Sequence, residues 1–296
     1  MRRPLIRPVL GALAAALGGV ALWRGAAALR AEREYATRRP SGPDGIVPGA
    51  EGFTLKGTNG RALLLLHGSG DTPQTLRYLG GRLHDAGFTV RAPLLPGHGR
   101  GLRDFATATA HDYARLVRSE LDELSGNTAW VGVVGLSMGG ALAARLAAEC
   151  REVRALVLLA PYLVPPPSVA LVGRAAPVWG LVQPYVGGRG DASVHDPVAR
   201  DESFAYGLFP PRAVRALCES AAAARAALPA ITAPTLVVQS REDNRIPHSL
   251  AERATATLRA PTERHWVAGC GHVITVDYCR AEVAALVLDF LARHAD

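Results

Sequence analysis

Short apolar runs alternate with amphipathic stretches from about residue 51 to the end of the chain. The runs have the length of strands, and their lack of polar positions is typical of strands buried on both faces of a sheet. The stretches between them place apolar residues three and four positions apart, which is the spacing of a helix with one buried face. Strands that alternate with helices predict a parallel sheet with right-handed crossovers, an α/β fold.

The pattern predicts six strands and five helices, with one interruption. The predicted strands are 63–66, 88–94, 129–134, 153–159, 235–239 and 263–268. The predicted helices are 73–86, 109–124, 138–149, 247–258 and 278–293. The stretch at about 162–230 breaks the alternation and is too long for a loop, so it predicts a small inserted subdomain, a cap.

The first thirty residues follow a different pattern. Three arginines precede an uncharged run from Pro8 to Trp23, and Arg24 ends that run. A basic start followed by an apolar run is typical of a signal peptide or a membrane anchor. We therefore predict that residues 1–30 direct the chain to export or to a membrane, rather than leaving it in the cytoplasm. A cleaved signal, an uncleaved anchor and a buried N-terminal helix all stay open, since sixteen uncharged residues are short for a bilayer span of about twenty.

Residues 31–50 separate this segment from the alternating part of the chain. They are rich in proline, glycine and arginine, which is typical of a linker. The folded domain is therefore expected to span residues 51–296, with the cap inserted at about 162–230.

Composition narrows the classes of function. The chain is 49% hydrophobic and 20% charged, as in a globular protein. Its net charge of +7 comes from scattered arginines with no basic run interleaved with aromatics, so nucleic-acid binding is not expected. The cysteines lack metal-site spacing, so no metal is expected, and free buried thiols are favoured while disulfides stay open. These cysteines are Cys150, Cys218, Cys270 and Cys279.

The segment Gly135-Leu136-Ser137-Met138-Gly139 follows a predicted strand and opens a predicted helix. This is the G-x-S-x-G pattern of a sharp strand-to-helix turn that exposes a serine hydroxyl. The turn needs glycine on both flanks because the neighbouring chain leaves no room for Cβ atoms. Ser137 is therefore the candidate nucleophile, although the pattern alone arises by chance in a chain with 31 glycines.

A serine nucleophile needs a base, and the base needs an orienting carboxylate. Asp243 and His272 each follow a predicted strand, in the order Ser, Asp, His that this turn requires. The carboxyl ends of parallel strands lie at one edge of a sheet, so these side chains are expected to converge. Glu242 as the acid, Asp243 as a helix cap, and His67 or His98 as the base are the alternatives.

Acyl transfer also needs hydrogen-bond donors for a developing oxyanion. The run Leu66-His67-Gly68-Ser69-Gly70 follows the first predicted strand, where such a loop is expected. We predict that the backbone N–H groups of Ser69 and Met138 form the oxyanion hole.

Five motifs together resemble the bacterial carboxylesterase and monoacylglycerol lipase group of the α/β-hydrolase superfamily, over about residues 60–293. They are HGSG at 67–70, PLLPGHG at 93–99, GLSMGG at 135–140, D-x-x-I-P at 243–247 and GHVIT at 271–275. The resemblance implies the α/β-hydrolase fold, a mostly parallel sheet flanked by helices with a small cap. It also implies Ser137, Asp243 and His272 as the catalytic triad.

The function that this resemblance implies is a serine hydrolase that cleaves small carboxylic esters through an acyl-enzyme, without a cofactor. One alternative is a serine peptidase or amidase, for which acidic cap residues would bind a substrate amine. These acidic residues are Asp191, Asp196, Asp201 and Glu202. The other alternative is a catalytically inactive binding protein of the same fold. The natural substrate and the oligomeric state do not follow from the sequence.

The cap also carries many apolar residues, and two interpretations of them compete. They line an acyl pocket, or they pack the cap onto the core, and packing is favoured because most apolar residues lie in cores. The residues are Leu163, Val164, Val169, Leu171, Val172, Val178, Trp179, Leu181 and Val182.

Overall fold

A seven-stranded sheet of order β1-β3-β2-β4-β5-β8-β9 forms the centre of the molecule. The computed structural model of the chain describes residues 6–187 and 193–295. Strands in these residues are β1 (Phe53–Leu55), β2 (Arg61–Leu66), β3 (Thr89–Ala92), β4 (Trp130–Leu136), β5 (Val153–Leu159), β6 (Val186–Gly187), β7 (Leu208–Phe209), β8 (Thr235–Ser240) and β9 (Thr262–Val267). Strand β1 pairs antiparallel with β3, and the other neighbours in this sheet are parallel.

Helices cover both faces of the sheet. Helices in the described residues are α1 (Ile6–Arg38), α2 (Arg77–Asp85), α3 (Leu102–Phe105), α4 (Ala110–Asn127), α5 (Met138–Glu149), α6 (Pro167–Arg174), α7 (Ala176–Trp179), α8 (Pro197–Glu202), α9 (Pro211–Ala227), α10 (His248–Thr255) and α11 (Arg280–His294). Short 3₁₀ helices span Pro73–Leu76 and Leu228–Ala230.

Strand β2 illustrates why the central strands are apolar throughout. Successive side chains of a strand point to opposite faces. Leu64 and Leu66 accordingly pack in the cluster formed with α4, α5 and α9, whereas Leu63 and Leu65 pack with α2 and α11. Both faces are buried, so neither set tolerates polar residues. The predicted fold, a mostly parallel sheet flanked by helices, is confirmed.

Two of the differences from the sequence-based expectation concern strand β1 and helix α9. Strand β1 has three residues and lies at the sheet edge, half-buried, so it leaves no periodic pattern to recognise. Helix α9 falls inside the stretch predicted as a separate insertion, yet its alanine-rich face packs in the core cluster with α5. The alanines allow this close approach between helices, and α9 therefore belongs to the helical layer of the domain.

Helix α1 continues past residue 30 to Arg38, into the segment predicted as a linker. Its Gly11–Arg38 part is long and apolar enough to span a membrane. The last turns of the helix contact the domain, which stabilises helical structure where the composition alone indicates a linker.

Cys270 and Cys279 form a disulfide with a Cα–Cα distance of 5.8 Å. Cys150 and Cys218 are free. The expectation of free thiols is therefore wrong for the first pair. Their pairing depends on the course of the loop between them, which sequence spacing does not reveal.

Candidate active site

Ser137 lies at the turn between β4 and α5, with φ 54° and ψ −116°. A Cβ atom on Gly135 would collide with the backbone of Gly139, and one on Gly139 would collide with the carbonyl group of Leu66. Both flanks must therefore be glycine, as the sequence analysis argues. A positive φ is strained for a serine, and the packed strand and helix on either side hold it there.

The structure brings Ser137, His272 and Asp243 together. The distance from Ser137 Oγ to His272 Nε2 is 2.8 Å, and that from His272 Nδ1 to Asp243 Oδ2 is 2.7 Å. A carboxylate can only accept, so Nδ1 of the imidazole donates to it and Nε2 accepts from the serine hydroxyl. The three residues are 7–9% exposed, so these hydrogen bonds are largely shielded from water.

Backbone and side-chain donors fix the carboxylate of Asp243. Its Oδ1 accepts from the N–H groups of Arg245 (2.7 Å) and Ile246 (2.8 Å), and its Oδ2 also accepts from Gln239 Nε2 (2.6 Å). Burial raises the pKa of Asp243, but His272 and the backbone N–H groups of Arg245 and Ile246 outweigh it and hold the pKa below its ordinary value. Sequence analysis missed Gln239, which lies in β8 and shows no motif.

Glu242, the alternative acid, makes other contacts. It accepts from the N–H of Gly269 at 2.9 Å, and its carboxylate lies 3.7 Å from His195 Nδ1. Its side chain is about half exposed. Asp243 and not Glu242 therefore faces His272.

His67 and His98, the alternative bases, are fully buried and hold two loops together. His98 Nε2 accepts from the N–H of Gly70 at 3.0 Å, and His67 Nε2 accepts from the N–H of Leu95 at 3.1 Å. Each Nδ1 lies 2.9–3.0 Å from a backbone carbonyl, to which it donates. Burial lowers the pKa of His98 to about 4 and that of His67 well below its ordinary value. Both imidazoles are therefore neutral supports for the loop that follows β2.

This loop passes beside the serine hydroxyl. A Cβ atom on Gly68 would lie 3.8 Å from Ser137 Oγ, and Ser69 is the next residue in the chain. Met138 is the first residue of α5, where a backbone N–H has no acceptor within the helix. The two predicted oxyanion donors thus lie on the two segments that border the hydroxyl.

Asp71 is a buried carboxyl near the candidate site that sequence analysis missed. Burial raises its pKa to about 7, against the lowering effects of the Thr72 N–H and of His272. Its Oδ1 accepts from the N–H of Thr72 at 2.9 Å. Asp71 lies four positions after His67, in the loop whose HGSG motif the sequence analysis identifies. An aspartate at this position looks like an ordinary surface turn residue in the sequence, and only the structure shows that it is buried.

A second buried carboxylate, Asp277, holds the loop that carries His272. It accepts from four backbone N–H groups at 2.7–2.9 Å, those of His195, Asp196, Gly271 and Tyr278. Although burial raises the pKa of Asp277, these donors lower it below its ordinary value. Asp277 therefore links this loop to the segment that precedes α8. The disulfide between Cys270 and Cys279 joins the two ends of the same loop.

The structure places the acidic and apolar residues of the predicted cap in different surroundings. Asp191 lies outside the described residues, and the Asp196 side chain caps α8 by accepting from the N–H of Val198. Five of the apolar residues are exposed instead of packed: Leu171, Val172, Val178, Leu181 and Val182. The packing interpretation is therefore wrong for these five. Within the described parts of the chain, no group of three or more His, Cys, Asp or Glu residues has the arrangement of a metal site.

A sequence profile described as the alpha/beta hydrolase family matches residues 63–286. The chain belongs to this family. The matched region contains the strand-turn-helix around Ser137 as well as Asp243 and His272, so the site described above lies within the shared part of this hydrolase.

Two characterised relatives show which group within the family this hydrolase resembles. The hydrolase is 30% identical over 254 residues to a thermostable monoacylglycerol lipase of Bacillus sp. (strain H-257), covering 84% of this chain and 97% of the relative. It is 27% identical over 243 residues to a carboxylesterase of Bacillus subtilis (strain 168), covering 81% and 96%. The predicted resemblance to the carboxylesterase and monoacylglycerol lipase group is confirmed.

A solved structure agrees with these relatives. The hydrolase superposes with a TM-score of 0.77 and 27% identity on a protein from work on two metagenome-derived lipolytic enzymes, LipS and LipT, covering 84% of this chain and 100% of the other. Relatives of this hydrolase are thus lipases and esterases, which supports ester hydrolysis as the general function.

Proposed function

We propose that this chain is a serine esterase that cleaves small carboxylic esters, of carboxylesterase or monoacylglycerol lipase type, through an acyl-enzyme. The observation that carries the proposal is the continuous hydrogen-bonded chain from Ser137 Oγ through His272 to Asp243. The lipases and esterases among the relatives support the ester as the bond attacked.

In the first step His272 Nε2 takes the hydroxyl proton as Ser137 Oγ attacks the acyl carbon of the ester. The resulting imidazolium is stabilised by Asp243, whose carboxylate stays ionised because its pKa lies below the ordinary value. The imidazolium then gives its proton to the leaving alcohol as the ester C–O bond breaks. Water then attacks the acyl-enzyme as the same imidazole takes its proton, and the imidazolium returns that proton to Ser137 Oγ as the acyl C–O bond breaks and the acid leaves.

The tetrahedral intermediates carry a negative oxygen that needs donors already in position. We assign this role to the backbone N–H groups of Ser69 and Met138, since the two segments border the Ser137 hydroxyl. No metal ion or organic cofactor takes part in these steps, because the triad and two donors suffice for acyl transfer.

A fluorophosphonate probe tests the nucleophile. It should label the wild-type chain on Ser137 and leave Ser137→Ala unlabelled. A burst of nitrophenol from nitrophenyl esters should equal the concentration of labelled protein, as accumulation of an acyl-enzyme requires. Absence of labelling would instead favour an inactive binding protein, and faster cleavage of aminoacyl amides than of matched esters would favour an amidase.

We further propose that the domain is held at a membrane by α1 and lies in an exported compartment. The length and apolar composition of α1 support the anchor. The disulfide between Cys270 and Cys279 supports an oxidising compartment, where such bonds persist. The full chain should stay with membranes after extraction at alkaline pH, and its recovery in the soluble fraction would contradict the anchor.

A further inference from the structure

Helix α1 has two parts with different surroundings. Over its apolar first part, the large side chains are 53–78% exposed at Leu13, Leu17, Leu22 and Trp23. None of the most apolar window of the Gly11–Arg38 segment is buried. This first part therefore presents an apolar surface that the domain does not cover.

The second part of α1 is attached to the domain. Arg24 Nε donates to the carbonyl oxygen of Gly180 at 2.7 Å, directly after the apolar run ends. Further along, Glu32 accepts from the hydroxyl group of Tyr185 at 3.1 Å, and Tyr35 is only 3% exposed. The direction in which the apolar part leaves the domain is consequently set by contacts, not by a flexible linker.

Five exposed apolar residues lie within nine positions of Gly180, the point of attachment, along the chain, and we refer to them as the apolar patch. They are Leu171 (66% exposed), Val172 (36%), Val178 (70%), Leu181 (70%) and Val182 (49%). Gly180, which accepts from Arg24, lies between Val178 and Leu181 in the chain. Trp179 Nε1 donates to the Val172 carbonyl oxygen at 2.8 Å and so joins α6 to α7. A patch of this kind marks an interaction surface.

We propose that the apolar patch docks on the lipid bilayer that α1 spans, and that α1 is retained in the mature protein. The uncharged run Pro8–Trp23 spans about 24 Å as a helix, at about 1.5 Å per residue. This approaches the thickness of the hydrocarbon core, about 30 Å. Arg24 then lies at the headgroup level, and its hydrogen bond holds Gly180 and the apolar patch at that same level.

The positions of the arginines, and the need to cover both α1 and the apolar patch, favour a lipid bilayer over another protein as the partner of the patch. Arg174 is exposed within the stretch that carries the patch, and three arginines precede the apolar run at its other end. Cations at both ends of a span suit anionic headgroups. A bilayer covers the first part of α1 and the patch together, whereas a second copy on the patch leaves the helix uncovered. The inference rests on the membrane anchor proposed above and is independent of ester hydrolysis.

Depth-dependent quenching on the full chain tests the docking. We would place a nitrobenzoxadiazole fluorophore on Leu181→Cys in a Cys218→Ser background, reconstituted in vesicles of phosphatidylethanolamine and phosphatidylglycerol. Lys56→Cys is the matched control, because Lys56 is exposed and follows Leu55, which pairs with Val90 near the amino end of β3, whereas the patch follows the carboxyl end of β5. Val178→Cys serves as a second patch position if the first variant does not fold.

The fluorophore at 181 should brighten several-fold in vesicles and be quenched by lipids with nitroxide near the headgroup, whereas that at 56 should respond only to aqueous iodide. Equal iodide quenching at both positions would overturn the docking. Protection of the fluorophore at 181 from iodide without quenching by the nitroxide lipids would overturn bilayer docking and indicate a second copy of the chain on the patch. An intact mass of the protein that lacks the first part of α1 would overturn the retention of α1 in the mature protein. Fluorophosphonate labelling of the same samples is read separately, so an unreactive protein with lipid-quenched fluorophore contradicts the esterase proposal alone.

Discussion

The two adjacent carboxylates Glu242 and Asp243 differ in what they face, and this difference predicts unequal effects on catalysis. Asp243→Asn keeps the volume of the side chain but no longer favours the Nδ1–H tautomer of His272. We expect kcat for a nitrophenyl ester to fall on the order of 10⁴-fold with KM little changed. Glu242→Gln, the matched control, still accepts from Gly269 and should retain kcat within about twofold. Equal losses in both variants would argue against Asp243 as the orienting carboxylate.

Asp71 predicts a dependence of stability on pH. Its pKa is raised to about 7 in the folded chain from an ordinary 3.8. The folded state therefore binds a proton that the unfolded state releases, and the free energy of unfolding falls as the pH rises between these values. Asp71→Asn should be more stable than the wild type at pH 8 by a few kcal/mol, at roughly 1.4 kcal/mol per pKa unit, and should lose this advantage near pH 4.

Denaturant titrations at both pH values measure the effect of Asp71→Asn. Glu252→Gln on the exposed face of α10 is the control for the loss of a carboxylate at the surface. A stability difference for Asp71→Asn that is the same at pH 4 and pH 8 would show that Asp71 does not titrate between these values.

Among the loops that border the site, the one after β2 depends on His98. The N–H of Gly70 donates to His98 Nε2, so His98→Phe leaves that donor without an acceptor and frees the loop that carries Ser69. We expect kcat to fall roughly 10–100-fold with a smaller change in KM, since displacing the proposed oxyanion donor at Ser69 would act mainly on the transition state. His98→Gln offers an acceptor again and should recover part of kcat. Wild-type kcat in His98→Phe would exclude a positioning role for His98.

The loop that carries His272 is held twice, and the two constraints are separable. Replacing Cys270 and Cys279 by serine should lower the free energy of unfolding by about 2–3 kcal/mol, because the short closed loop then gains freedom in the unfolded state. Fluorophosphonate labelling should persist, since Asp277 still accepts from Gly271. Cys218→Ser is the control for loss of a free thiol. Complete loss of labelling in the double variant would mean that the disulfide, not Asp277, positions His272.

At the scale of the whole molecule, α1 contributes to the stability of the domain only through its second part. Deleting residues 2–23 removes exposed apolar residues and should leave the melting temperature unchanged. Deleting residues 2–38 also removes Tyr35, whose ring lies 4.8 Å from that of Tyr206. Loss of this buried aromatic should cost about 3–5 kcal/mol, or about 10 °C in melting temperature. Calorimetry that finds equal melting temperatures for the two deletions would contradict the attachment.

Local features of this hydrolase follow from the sequence by itself. The run at β2 and the glycines around Ser137 depend on neighbours a few residues away, so apolar periodicity and steric limits at one turn are enough to predict them. The order of Ser137, Asp243 and His272 along strand ends follows in the same way, because parallel strands place their carboxyl ends together.

Only the tertiary structure decided the features that depend on burial and on contacts between distant residues. The pKa of Asp71, the hydrogen bond from Gln239 to Asp243 and the pairing of Cys270 with Cys279 all arise from groups that the fold brings together. The same holds for α1, whose composition indicates a linker after residue 30 but whose helix continues where Tyr35 finds an aromatic neighbour. A one-dimensional pattern records which residues are apolar, whereas burial and pairing are set by which surfaces meet.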